Sequence, residues 1–137
     1  MAKYVVGRVK DAPPGTQREI RIGDLSIGLF NVDGSYRALL NRCPHRGAPL
    51  VRGTLVGQLE STCPGEYTYD PAKSFVRCVW HGWEFDLTNG RSWVDPERKR
   101  VRPYPVTVEH RTPGPYVAET FPVSVEDDYI VIEIGRP

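Results

Sequence analysis

Long apolar runs are missing from this sequence. Nowhere do about 18 apolar residues follow one another, as a membrane-crossing helix needs, and the opening Met1-Ala2-Lys3-Tyr4-Val5-Val6-Gly7-Arg8 meets charge too early for a secretory segment. A soluble, cytoplasmic protein is the expectation. An excess of charge is missing as well: 18 Lys and Arg against 17 Asp and Glu leave a formal net charge of +1. No chain-wide field then recruits nucleic acid or an anionic membrane, and neither is expected as a partner. Cysteine is scarce. Cys43, Cys63 and Cys78 are too few, and odd in number, for a disulfide-stapled secreted fold, which turns attention to metal-binding, structural or reactive thiols.

Helical periodicity is also lacking, because 13 Gly and 13 Pro cut the chain into short pieces. The pieces read as strands. Leu25 to Val32, the dipeptide Asp33-Gly34, and Ser35 to Leu40 make two strand-like runs around a two-residue turn, and this hairpin delivers the chain to Cys43. Further strands are expected at Tyr4 to Val9, Arg18 to Ile22, Phe75 to Val79, Glu84 to Leu87 and Tyr104 to Glu109. A last hairpin is expected from Phe121 to Val125, turning at Glu126-Asp127-Asp128 and returning over Tyr129 to Ile134. Val56 to Ser74 and Asn89 to Pro103 read as irregular. With 137 residues, 39% of them hydrophobic, the chain can bury a core of its own, so one all-β domain over 1–137 is expected.

Chemistry concentrates in two short segments, Cys43-Pro44-His45-Arg46-Gly47-Ala48-Pro49-Leu50 and Cys78-Val79-Trp80-His81-Gly82-Trp83-Glu84-Phe85-Asp86. Each pairs one thiol with one imidazole. Thiolate suits zinc, copper(I) and iron-sulfur centres, and imidazole suits zinc and iron, so the donor types leave the metal open. Spacing narrows it. Zinc knuckles usually put roughly two to four residues between paired cysteines, and Cys43-x-His45 is tighter. A binuclear cluster removes the difficulty, since the Cys and His of one loop need not meet at the same metal.

The two segments resemble the ligand loops of the Rieske family, Cys-x-His in one and Cys-x2-His in the other, each followed by a glycine, here Gly47 and Gly82. The resemblance implies an antiparallel β-sandwich with a small cluster-binding subdomain inserted, here over about residues 41–92. It implies one Rieske-type 2Fe-2S cluster, with Cys43 and Cys78 on the inner iron and His45 and His81 on the outer, surface-proximal iron. Neutral imidazole in place of thiolate makes the centre less negative, which raises its potential into the range of about −150 to +300 mV. Respiratory Rieske proteins carry an extra cysteine in each loop, where this chain has Ala48 and Trp80. The ferredoxin and oxygenase branch is therefore implied, at the low end of that range.

That branch implies a soluble carrier of single electrons between a reductase and an oxygenase or other redox enzyme. No catalytic residue of its own is expected: the sequence has three histidines, and with His45 and His81 committed, only His110 remains toward a 2-His-1-carboxylate iron site. Two alternatives stand beside this, a Rieske subunit of a larger oxygenase or reductase, and a structural zinc-binding interaction module.

The remaining features carry paired readings. The interval between His45 and Cys78, residues 46 to 77, is long for a small Rieske ferredoxin, so Val56 to Lys73 is an insertion, an extra loop or hairpin that serves as a partner-docking element or is a surface elaboration. Cys63 lies inside it, as a small buried thiol or a redox switch. Glu97-Arg98-Lys99-Arg100-Val101-Arg102 is a solvated run or a guide for an acidic redox partner. Pro96, Pro103 and Pro105 form a stiff cover or ordinary turns. Trp80, Trp83 and Phe85 wall the centre from water, pack the core, or do both. Glu84 and Asp86 read as solvent-facing, and His110 as a surface or strand histidine.

Overall fold

The computed structural model describes residues 2–44, 47–63, 66–78, 83–92, 100–113 and 125–135. Ten strands make up most of it: β1 (Ala2–Arg8), β2 (Gln17–Ile22), β3 (Leu25–Val32), β4 (Ser35–Leu40), β5 (Thr54–Cys63), β6 (Glu66–Arg77), β7 (Glu84–Asp86), β8 (Pro103–Tyr104), β9 (Val106–Arg111) and β10 (Asp127–Ile134). All pairing is antiparallel, in three sheets ordered β1-β10-β9, β2-β3-β4-β8 and β5-β6-β7. The all-β expectation holds, and no helix among the described residues is long and apolar enough to cross a membrane.

The second sheet is the middle layer, and its sequence shows why. Side chains along a strand alternate between faces. On β3, Ile27 and Leu29 join Ile20, Ala38, Ile130 and Ile132 in one apolar core, while Phe30 joins Leu39, Leu50, Val76 and Phe85 in another. A strand buried on both faces must be apolar nearly throughout, as β3 is. One core thus binds the first two sheets into a sandwich, and the other seats the third sheet against the sandwich's outer side.

The Asp33-Gly34 turn joins β3 to β4 as expected, with Val32 opposite Ser35 and φ of 51° at Asp33. Two expectations need correction. Val56 to Ser74 is not irregular: it lies in β5 and β6, a long hairpin in which Val56 pairs with Phe75, Gln58 with Asp70 and Cys63 with Glu66. The β-branched and aromatic content of this stretch supports strands, but Pro64, Gly65 and Pro71 dominated its reading. Nor does the last strand begin after a turn at Asp127-Asp128, because these two residues already pair with Arg111 and His110. Phe121 to Ser124 lie outside the described residues. β10 sits between β1 and β9, and Tyr129 to Ile132 are all buried, so the continuous β-branched run marked a central strand.

Candidate metal centre

Two loops of matching construction carry the motif cysteines. The first leaves β4 at Leu40, and there the Cys43 amide donates to the Ala48 carbonyl at 2.8 Å. The second leaves β6 at Arg77, and there the Cys78 amide donates to the Trp83 carbonyl at 2.7 Å. In each loop the cysteine N–H reaches the carbonyl five residues on, so the motif histidine belongs to the span that this bond closes. His45 and His81 themselves lie outside the described residues, as do Trp80 and Gly82.

Gly47 is what the first loop needs. Its φ is +77°, its amide donates to the Cys43 carbonyl at 2.8 Å, and a Cβ there would lie 3.3 Å from Arg42 Nε. A side chain disfavours that backbone conformation, and glycine does not. The second loop is closed below its cysteine by Arg77 and Glu84, which are cross-strand neighbours and form an ion pair at 3.0 Å.

Cys43 and Cys78 meet in one apolar cluster, 1% and 2% exposed, and neither is in a disulfide. Ala48, Leu50, Val76 and Phe85 belong to the same cluster and Trp83 packs against it. Sequence reading placed Trp83 and Phe85 there, and the structure agrees. Two buried sulfurs on two loops suit a soft metal centre, because thiolate charge taken out of water needs compensation of the kind coordinated metal supplies. Among the described residues no group of three or more His, Cys, Asp and Glu gathers as metal ligands; of the four donors expected from the sequence, the two cysteines are the ones described.

Sequence reasoning missed how the first loop is anchored. Asn41, buried two residues before Cys43, accepts the Val51 amide on Oδ1 at 2.9 Å and donates through Nδ2 to Ser26 Oγ at 3.1 Å. Ser26 Oγ in turn donates to Glu19. That hydroxyl bond, with Arg21 and Arg52 adding attraction, holds the Glu19 carboxyl below its usual range. Gln17 adds a clamp, its Nε2 donating to the carbonyls of Val51 and Gly53 at 3.1 and 2.8 Å. The sandwich thus grips both ends of the loop through polar groups on β2 and β3. An asparagine at a strand end reads as an ordinary turn former, so no local signal marked Asn41. Beside the loop a cleft of about 470 Å3 opens between Asp24, Leu25 and Ser26 on one side and Asn41, Arg42 and Gly47 on the other.

Other candidates fall elsewhere. Pro103 and Pro105 flank Tyr104, whose side chain is buried in the sandwich core, and Pro103 pairs with Leu39 in β8; these two belong to a sheet edge rather than a cover, and Pro96 is outside the described residues. His110 is an exposed strand residue, as expected. Its two ring nitrogens each lie 2.9 Å from a carboxylate, Nδ1 from Asp128 and Nε2 from Glu126. Glu84 and Asp86 are half-buried on β7. Of the basic run, Arg100 and Arg102 are exposed with Val101 buried between them, and Glu97 to Lys99 lie outside the described residues.

Comparison with known proteins gives a consistent picture. The family model of the Rieske 2Fe-2S domain matches residues 2–105. Apoptosis-inducing factor 3 of Mus musculus is 32% identical over 104 residues, covering 76% of this chain and 14% of that protein; the chain thus spans about a seventh of that relative. The ferredoxin component of the naphthalene 1,2-dioxygenase/salicylate 5-hydroxylase systems of a Ralstonia species is 28% identical over 100 residues, covering 73% of this chain and 81% of that one. The ferredoxin of Sphingomonas yanoikuyae B1 shares the fold, with a TM-score of 0.62 at 21% identity over 98% of this chain and 100% of that chain.

Proposed function

The chain belongs to the Rieske 2Fe-2S family, and from that premise we propose that it is a single-electron carrier serving an oxygenase or another redox enzyme, with a reductase as donor. The family's cofactor is one Rieske-type 2Fe-2S cluster. We assign its ligands as Cys43, His45, Cys78 and His81. The carrying observation is the pair of buried cysteines in one apolar cluster, each heading a loop that an amide-to-carbonyl bond closes five residues on.

When bound, the cluster supplies one reversible electron step in the range of about −150 to +300 mV. The chain's own residues do the rest. Phe85, Leu50 and Val76 keep water from the sulfurs, and a dry shell tunes both potential and retention of a metal centre. The Asn41 and Gln17 anchors hold the first loop to a rigid sheet, which fixes donor positions in advance. The name of the Ralstonia relative, a ferredoxin component, supports the same role here and an oxygenase as acceptor. We read 1–137 as a single domain with a cluster-binding subdomain over about 41–92, supported by the middle sheet shared between the two cores, and a cytoplasmic location.

A second reading has one observation in its favour. The mouse relative carries the matching region as 14% of a much longer protein, so this type of domain also works as a part of larger machines; as a subunit, the chain would co-purify with a catalytic partner. The deciding experiment is low-temperature EPR of the dithionite-reduced protein with iron and sulfide analysis. The electron-carrier reading requires a Rieske-type signal with two irons and two sulfides per chain. A colourless protein holding one zinc would replace it with a structural zinc module.

A further inference from the structure

Charge is unevenly distributed over the described residues. The segments on the metal-centre side, 41–44, 47–55, 75–78, 83–92 and 100–102, carry six arginines (Arg42, Arg52, Arg77, Arg91, Arg100 and Arg102) against two carboxylates, Glu84 and Asp86. The two sandwich sheets and their connections, 2–40, 103–113 and 125–135, carry nine carboxylates against seven Lys and Arg. The remaining described residues, 56–63 and 66–74 of β5 and β6, carry Glu60, Glu66 and Asp70 against Lys73, so the excess of arginine belongs to the loops and the β7 side rather than to the third sheet as a whole.

Register gathers part of the excess on one face. Arg77 stands opposite Glu84 and Phe75 opposite Asp86, while Phe85 bridges to Ser92 and Arg91 to Arg100. Residues opposite one another across a ladder point to the same face, and the face changes at each step. Val76, Phe85 and Ser92 turn inward, and all three are buried. Phe75, Arg77, Glu84, Asp86, Arg91 and Arg100 therefore share the other face, on which Phe75 is buried and the three arginines are exposed. Glu84 pairs with Arg77 at 3.0 Å, and Asp86 Oδ1 accepts the Thr88 amide at 2.7 Å.

Arg91 and Arg100 are then directly opposed, with no carboxylate partner among the described residues. Like charges facing each other across antiparallel strands are unfavourable, and a shared anion relieves that. The backbone beneath them is firmly held: the Asp86 amide donates to the Arg91 carbonyl at 2.9 Å, and the Val101 amide to the Gly90 carbonyl at 2.7 Å.

We propose that the Arg91–Arg100 pair anchors a docking surface for an acidic redox protein, one of whose carboxylates sits between the two guanidinium groups. Guanidinium and carboxylate match as planar, two-pronged partners. Strand β7 leads directly out of the Cys78 loop, so a protein held here rests on the sheet that carries that loop. The surrounding arginines would speed encounter with a negatively charged partner in a salt-dependent way. The partner's being a redox protein rests on the electron-carrier reading; the attraction of acidic polypeptide does not.

The test uses the full-length holoprotein and two sets of probes. Poly-L-glutamate is expected to bind at low salt and to bind at least about fivefold more weakly to the Arg91→Gln/Arg100→Gln double variant. The Arg91→Lys/Arg100→Lys double variant keeps the charge and loses the two-pronged grip, so it should fall between them. Removing the repulsion leaves the thermal midpoint of the Gln variant equal to or above that of the unmodified protein. In the second set, oxidation of the reduced protein by ferricyanide slows as salt rises while oxidation by hexaamminecobalt(III) accelerates, and both trends flatten in the Gln variant. Poly-L-glutamate binding that is absent, or unaltered in the Gln variant, overturns the proposal. So does tighter binding to random-sequence duplex DNA, which would make this a nucleic-acid surface. A protein without iron would sink the electron-carrier reading and still leave the poly-L-glutamate result to decide the surface.

Discussion

The Val51 amide donates to Asn41 Oδ1 across 2.9 Å, and through that bond the two ends of the Cys43 loop are tied together. The same carboxamide donates to Ser26 on β3, so one buried side chain both closes the loop and fastens it to the sandwich. Asn41→Ala leaves the Val51 amide and the Ser26 hydroxyl without these partners. The expected cost is about 1–3 kcal/mol in unfolding free energy, together with faster loss of iron to a chelator. Thermal unfolding and the absorbance decay of the holoprotein in the presence of a chelator measure the two effects.

Gly90 is a second point where backbone geometry leaves no choice. It has a φ of +74°, and a Cβ there would lie 1.8 Å from the Val101 carbonyl oxygen. Gly90→Ala is expected to destabilise the protein by at least about 2 kcal/mol, from left-handed strain plus displacement of the 100–102 segment. Denaturant titration of the variant would reveal this; a midpoint equal to that of the unmodified protein would show that the 100–102 segment yields freely.

The three cysteines should behave differently. Cys43→Ser and Cys78→Ser, both in the buried apolar cluster, are expected to abolish iron binding and visible colour. Cys63→Ser, at the far end of β5, should retain both. Iron analysis of the three variants distinguishes them, and colour lost with Cys63 would move that residue into the ligand set. His45→Cys should keep iron and lower the reduction potential, because an anionic thiolate replaces a neutral imidazole.

His110 supplies a pH dependence. Hydrogen bonds to Glu126 first and then Asp128 raise its pKa above the ordinary value, since in the imidazolium both ring nitrogens donate to carboxylates. A raised folded-state value means that the contribution to stability is fully present below the unfolded value, about 6.5, and disappears as pH climbs through the folded one. The difference in thermal midpoint between the unmodified protein and His110→Gln should be largest below about pH 6.5, the unfolded value, decline as pH rises through the folded-state value and shrink with added salt. An imidazole NMR titration centred at or below the ordinary value would contradict the assignment.

The strands and the chemistry of the site were legible in the residues themselves. The apolar runs of β3 and β4 and the Asp33-Gly34 turn act locally, through side-chain character and backbone torsion, so sequence alone determines them. The proposed ligands Cys43, His45, Cys78 and His81 were visible as two motifs that resemble the Rieske loops. What only the tertiary structure decided depends on groups far apart in the chain. The partner of Asn41 is Ser26, 15 residues earlier; Gln17 grips a carbonyl 36 residues on; and Arg100 faces Arg91 across a bridge that no local pattern announces. The extent of the β5–β6 hairpin was unreadable for a related reason: Pro64, Gly65 and Pro71 signal breaks to a local reading, while the ladder joining Thr54 to Arg77 and Cys63 to Glu66 is a property of two strands together. Hydrogen-bond complementarity across space has no period along a chain, and that is why the anchors of the first loop appear only once the strands are in place.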